Sequence, residues 1–274
     1  MEDSPKLVTG RFNCAQDWVF DRTMDVKRNI RLILEYDGSR YHGWQRQIGV
    51  PTIQGIIEDR IYVMINEPVK LIASGRTDAG VHALCQVCNF ITTTRIDPIA
   101  IQRGLNALLP SDVFIRQAEY VPLDFHSMYS TRSKTYEYRI LNQKDPDVFL
   151  RFYAWHVVRN LDLGVMSKCI STLCGEHDFS SFRSSGSGNT NPVRKMMRAE
   201  LDGPDKGILR FVFEADGFLR HMVRNIVGTV VEVGHGKMGF NEFTEVFHSG
   251  DRRKAGTKAP PQGLFLKKVD YCTS

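Results

Sequence analysis

The sequence predicts an α+β fold, one extended mixed sheet made of two halves, with helices on one face and a basic cleft on the other. Three observations predict it. Residues 28–130 read as the element order β-α-β-β-α-β, and residues 131–274 read as the same order again without repeating the sequence. In each half the helical segments carry their apolar residues on one side, as helices lying on a sheet do. The charge is also divided. Residues 1–130 hold 14 Lys+Arg against 15 Asp+Glu, whereas residues 131–274 hold 22 against 16, so the whole surplus of +5 lies in the second half. A one-sided basic surplus suits a polyanionic partner such as nucleic acid.

In the first half, Asn29–Tyr36 is an Ile- and Leu-rich strand. Thr52–Asn66 is a helix with Thr52 as N-cap and an apolar face of Ile53, Ile56, Ile57, Ile61, Met64 and Ile65. Val69–Ser74 and Gln86–Thr92 are strands flanking a polar turn. Asp97-Pro98 opens a second helix, cap followed by first-turn proline, and Val113–Val121 closes the half.

In the second half, Ser133–Asn142 alternates through Tyr136, Tyr138 and Ile140. Ala154–Val158 is an apolar insertion. Asp162 caps a helix through Leu163, Met166, Ile170 and Leu173 that Gly175 closes. Val193–Leu201 and Ile208–Ala215 form a hairpin around an Asp202–Pro204 turn. A long helix from about Phe218 to Val233 ends at Gly234, and Leu264–Tyr271 is the last strand. Two consecutive split βαβ units make two ferredoxin-like halves. Residues 1–27 fit neither half and read as an extension, without the pattern of a secretory or transit signal.

With 42% hydrophobic and 24% charged residues, the chain has an ordinary globular composition and enough length for a large core. No run of about 18 apolar residues predicts a membrane span. The six cysteines are too sparse for a disulfide framework, and Cys85 and Cys88 lack the second pair that a zinc site needs. Reduced cysteines point to the cytoplasm.

Several chemistries lack their motifs. Gly234-His-Gly236-Lys-Met-Gly239 has dinucleotide-type spacing but follows a helix, so its glycines open no helix toward a pyrophosphate. No phosphate loop, HExxH pair or G-x-S-x-G elbow occurs. No cofactor is expected. Three features stand out instead. Gly75-Arg76-Thr77-Asp78-Ala79-Gly80-Val81-His82 offers an Arg and an Asp between turn-forming glycines. Lys134-Thr135-Tyr136-Glu137-Tyr138 sets two tyrosines on one strand face, and His221-Met222-Val223-Arg224-Asn225 lies in the long helix. Each has a plainer reading: a solvated turn, a packed tyrosine pair, and an exposed helical arginine.

These motifs and their neighbours resemble the TruA family of tRNA pseudouridine synthases. The resemblance rests on Leu34-Glu35-Tyr36-Asp37-Gly38, Gly43-Trp44-Gln45-Arg46-Gln47, Thr52-Ile53-Gln54 and the Gly75–His82 segment. It continues through Asn106–Pro110, Phe125-His126, Lys134–Tyr138, Phe179-Ser180-Ser181-Phe182, His221–Gly228 and Gly263–Leu266. It implies isomerisation of uridine to pseudouridine at positions 38, 39 and 40 of the tRNA anticodon stem–loop, on a base flipped out of its stack. It implies no cofactor or metal, and a homodimer with one tRNA across both subunits. Asp78 matches the family's catalytic aspartate, Arg224 its arginine partner, and Tyr136 the tyrosine packed on the target base. Arg76 is implied to fill the vacated stack. Phe125, His126 and Tyr129, and then Phe179, Phe182 and Arg183, match stretches that contact tRNA. Arg40, Arg46 and Arg103 are further phosphate candidates. Among the competing readings, the one from another class is a non-catalytic RNA-binding module of two ferredoxin-like folds. The Ser185–Asn191 loop is a candidate to close over an RNA backbone.

Overall fold

The computed structural model describes residues 26–186 and 191–271. Ten strands form one sheet among these residues. They are β1 (Arg28–Tyr36), β2 (Ile72–Ala73), β3 (His82–Thr92), β4 (Val113–Val121), β5 (Thr131–Asn142), β6 (Trp155–Val157), β7 (Gly175–Asp178), β8 (Val193–Asp205), β9 (Ile208–Ala215) and β10 (Leu264–Tyr271). The helices are α1 (Ile53–Ile65), α2 (Pro98–Leu108), α3 (Leu163–Ser171), α4 (Met222–Gly234) and α5 (Phe240–His248). The sheet runs β4-β1-β3-β10-β5-β9-β8-β7, with β2 on β3 and β6 on β5. Most pairings are antiparallel. The parallel pairing of β10 with β3, at Phe265↔His82 and Leu266↔Ala83, joins the first half to the second. The last strand of the chain therefore lies at the middle of the sheet.

The caps behave as their chemistry predicts. The Thr52 side chain accepts from the Gly55 amide, the Asp97 side chain from Ile99, and the Asp162 side chain from Gly164 and Val165. Ile30, Leu32 and Leu34 of β1 pack in one core with Ile53, Ile57 and Ile61 of α1 and with Ile101 and Leu105 of α2. In the second half, Tyr138, Phe211 and Phe213 pack with Met166, Ile226, Val227 and Val230.

Several boundaries differ from expectation, each for a tertiary reason. The Val69–Ser74 strand shrinks to Ile72–Ala73. The Leu71 amide donates to Glu58 Oε1 and its carbonyl accepts from Gln54, so α1 takes the hydrogen bonds a longer strand would need. β3 begins at His82, four residues earlier than expected, where β10 supplies a partner. The β8–β9 turn is Lys206-Gly207, not Asp202–Pro204. Asp205 pairs with Ile208, and both loop residues have positive φ, 48° and 78°, as a two-residue I′ hairpin requires. α3 stops at Ser171, and Gly175 instead opens β7 at φ 112°. α4 starts at Met222, not Phe218. Sequence reasoning assigned nothing to β7 or α5. The α5 signal was present, since Phe243, Val246 and Phe247 have helical spacing and are buried.

Residues 1–25, which hold most of the expected extension and Cys14, lie outside the described residues, as do the middle of the Ser185–Asn191 loop and Cys272. No helix among the described residues is long and apolar enough to cross a membrane.

Candidate functional site: an aspartate turn against a buried arginine

Asp78 stands on the turn between β2 and β3. The turn is held by main-chain and side-chain bonds from the segment after β1. The Trp44 amide donates to Thr77 O at 3.0 Å, the Gly80 amide to Tyr41 O at 3.3 Å, and Tyr36 Oη meets Thr77 Oγ1 at 2.8 Å. From β3, Gln86 Nε2 donates to Gly75 O at 3.0 Å. Gly43 permits this approach. Its φ is +88°, and a side chain there would come within 2.6 Å of Thr77 O. A polar loop braced on four sides presents the Asp78 side chain still 28% exposed.

Arg224 comes from the second half. It is 7% exposed, against the default for a helical arginine. Its Nη1 donates to Asp78 Oδ2 at 2.9 Å, and its Nε donates to Ala259 O at 2.8 Å. Burial follows from the chain before β10, which lies directly on α4. A side chain on Gly228 would overlap the Thr257 carbonyl oxygen, so only glycine lets that segment close. The Ala259 amide returns a bond to Arg224 O at 3.0 Å. The guanidinium is thus fixed in orientation before it meets the carboxylate, and a charge-assisted bond in such surroundings is stronger than one in water.

Tyr136, on β5, is buried, and Phe218 meets its ring edge-on at 4.9 Å. Burial pushes its hydroxyl far above the ordinary tyrosine range, and Tyr36 and the charge of Asp78 push it further. The ring is a neutral apolar surface beside the acid. Tyr138 is core, its hydroxyl donating to Pro260 O at 2.7 Å. Lys134, two residues before Tyr136, lies against the aspartate turn. A Cβ built on Gly75 would sit 3.4 Å from its Nζ. Burial pulls its ammonium down to about 8, with Arg194 adding to the shift and Asp216 opposing it.

The structure therefore joins Asp78 to Arg224, with Tyr136 near enough for the aspartate's charge to act on its hydroxyl and Arg76 exposed on the same turn. Arg183 follows a short helical turn, 180–182, tied to the start of α4. The Ser184 amide donates to Arg220 O at 3.1 Å, and Asn225 Nδ2 donates to Phe182 O at 2.7 Å. Other expected residues lie elsewhere. Phe179 and Phe182 are fully buried, stacked among Phe243 and Phe247. Their rings are core, packed on α5 just before Arg183. Phe125, His126 and Tyr129 sit in the loop after β4, bound to the far end of β1 and β3. Asn29 Nδ2 donates to Phe125 O, and the Ser127 amide donates to Asn89 Oδ1. From His82 to Asn89 is roughly 23 Å of strand. There Tyr129 is 81% exposed and stacks on His126 at 4.2 Å, while the Arg31 guanidinium lies over Phe125. Arg40 is paired with Asp112, and Arg46 with Glu58 and Asp59, so both are engaged within the protein; Arg103 is exposed on α2.

Two residues at the aspartate turn had no role in the sequence reading. One is Lys134, which lies against Gly75. The other is His221, whose Nε2 lies 3.5 Å from Asp78 Oδ2. Each stands in a quoted motif, but its place at the turn is a tertiary fact.

Known proteins resemble this chain along most of its length. The family model described as tRNA pseudouridine synthase matches residues 32–130 and 169–272. A protein named tRNA pseudouridine synthase A from Acetivibrio thermocellus is 45% identical over 244 residues, 89% of this chain and 100% of the relative. One of the same name from a Thermoanaerobacter species is 43% identical over the same shares. Among solved structures, the crystal structure of the archaeal box H/ACA sRNP Nop10-Cbf5 complex matches at a TM-score of 0.31 and 14% identity, over 77% of this chain and 54% of that one, too loosely to bear on the argument.

Proposed function

The chain belongs to the tRNA pseudouridine synthase family, and we propose that it isomerises uridine at positions 38, 39 and 40 of the tRNA anticodon stem–loop with Asp78 as the reacting carboxylate. In the net reaction the N1–C1′ bond breaks and a C5–C1′ bond forms. The C5 proton leaves, and N1 gains one. No electrons are exchanged, so the reaction requires no redox partner.

The single observation that carries this reading is the Asp78–Arg224 pair, a half-exposed acid held by a buried guanidinium. A carboxylate so placed is held in orientation, and can attack or stabilise an electron-poor sugar carbon and then leave. Tyr136 offers an apolar face for the uracil ring once the base has left its stack, a step that costs a few kcal/mol. Arg76, exposed beside Asp78, fills the vacated space and meets phosphate. The aromatic patch of Tyr129 and His126, about 20 Å away, suits a contact further along the stem. We read the strand orders β4-β1-β3-β2 and β10-β5-β9-β8 as two ferredoxin-like halves, 28–130 and 131–274, each in the 4-1-3-2 order of that fold. A basic cleft along the sheet, a cytoplasmic homodimer and a tRNA spanning both subunits belong to the same reading.

Pseudouridine mapping in tRNA from cells with and without the gene tests it, and so does Asp78→Asn. The variant keeps size and loses the negative charge. It is expected to bind tRNA within about threefold of wild type and to lose turnover by on the order of a thousandfold or more. Wild-type turnover in Asp78→Asn would remove the carboxylate from the chemistry. Unchanged pseudouridine at 38–40 in cells lacking the gene would remove the function.

A further inference from the structure

Three non-glycine residues have positive φ among the described residues: Asn66, Lys206 and His221. Asn66 ends α1, and Lys206 turns the β8–β9 hairpin, both ordinary uses of that conformation. His221 has neither excuse. It precedes α4 at φ 63°, ψ 7°, yet its side chain makes no capping hydrogen bond. Asparagine or glycine takes up this backbone more readily. The imidazole carries a second cost, because its Nδ1 is buried with no hydrogen-bond partner among the described residues. Strain and an unpartnered polar atom on one residue beside an acid are what a functional constraint leaves behind.

The contact that the ring does make is with Asp78. Its Nε2 approaches Oδ2, the same oxygen that accepts from Arg224 Nη1. Oδ1 accepts no hydrogen bond among the described residues. The charged groups facing the ring are Asp78, Lys258, Arg224 and Arg220. Burial lowers the imidazole below its ordinary range, the three cations lower it further, and only Asp78 opposes them. Nε2, at 3.5 Å from Oδ2 and short of a hydrogen bond, is the ring nitrogen that faces the carboxylate.

We propose that His221 is a positioning residue for the isomerisation, clamping Oδ2 of Asp78 beside Arg224 so that Oδ1 is the oxygen turned to the target nucleoside. This role rests on the reading of Asp78 given above.

The test is His221→Asn and His221→Gly in the full-length protein, assayed on an anticodon stem–loop tRNA alongside thermal melting. Both variants relieve the backbone, so both are expected to melt at or above the wild-type temperature. Turnover is expected to fall about 10–100-fold with KM within twofold of wild type. In an Asp78→Asn background the same changes are expected to cost nothing further, because the group they position is already gone. Turnover within twofold of wild type overturns the role. So does a loss of turnover that comes with earlier melting, which would make His221 a structural residue. A wild-type protein that forms no pseudouridine on any tRNA overturns the function and the role together, whereas an active wild type with equally active His221 variants overturns the role alone.

Discussion

The first half supplies an acid on a turn, and the second half supplies its partners from the interior. Asp78 is reached by solvent, and its turn is kept in place mostly by bonds between its backbone and Trp44, Tyr41 and Gln86. Arg224 and Tyr136 are buried on a helix and a central strand. The two halves share a strand order, yet they divide exposure between them. The difference has a physical reason. A reacting group must be open to its substrate, while a group that tunes it acts more strongly where water is excluded. The seam where β10 enters beside β3 lets one carboxylate have both.

Breaking the buried side should cost most in stability. Gly228→Ala drives a methyl into the Thr257 carbonyl, so the segment 256–259 must lift from α4. The expected loss is about 2–3 kcal/mol after the helix gains from alanine, on the order of 4–10 °C in melting temperature. An unchanged melting curve would mean that the segment is not packed as described. Turning to the exposed side, Arg76→Ala should leave stability alone. It should weaken tRNA binding and reduce the slope of log affinity against log salt by about one, as loss of one phosphate contact does. An unchanged slope with normal turnover would detach Arg76 from the RNA.

Lys134 lies between the two regions and gives the effect most specific to a single group. Its folded value, about 8, is below the unfolded value of a lysine. Between the two the unfolded chain binds more protons, so stability should rise as pH increases from about 8 toward 10.5. Below 8 both states hold the proton and the full penalty is present. Lys134→Met should abolish that rise in a pH series of melting temperatures, and a rise that survives would locate it in another group.

Much of this was legible along the chain. Thr52, Asp97 and Asp162 cap helices because a cap is a local bond between a side chain and amides two or three residues ahead. The Asp78 turn was visible from its glycines. Other elements were hidden. The polar edge strand Glu176-His177-Asp178 has no apolar alternation to reveal it. The β8–β9 turn moved to Lys206-Gly207 because strand pairing, not the presence of proline, set the register. Phe182 precedes Arg183 in sequence and Phe179 lies one turn before it, yet packing with α5 turns both rings inward.

Local spacing by itself determined the element order and the helix caps, since each depends on residues within one or two turns of each other, whereas it was the family resemblance that singled out Asp78. Tertiary structure alone decided that Arg224 is buried rather than exposed and that His221 leans on Asp78. It also decided that the last strand lies in the middle of the sheet. Those outcomes depend on groups far apart in the chain, from Arg224 and Asp78 to Phe265 and His82, and no local pattern encodes which of them the closed core will bring into contact.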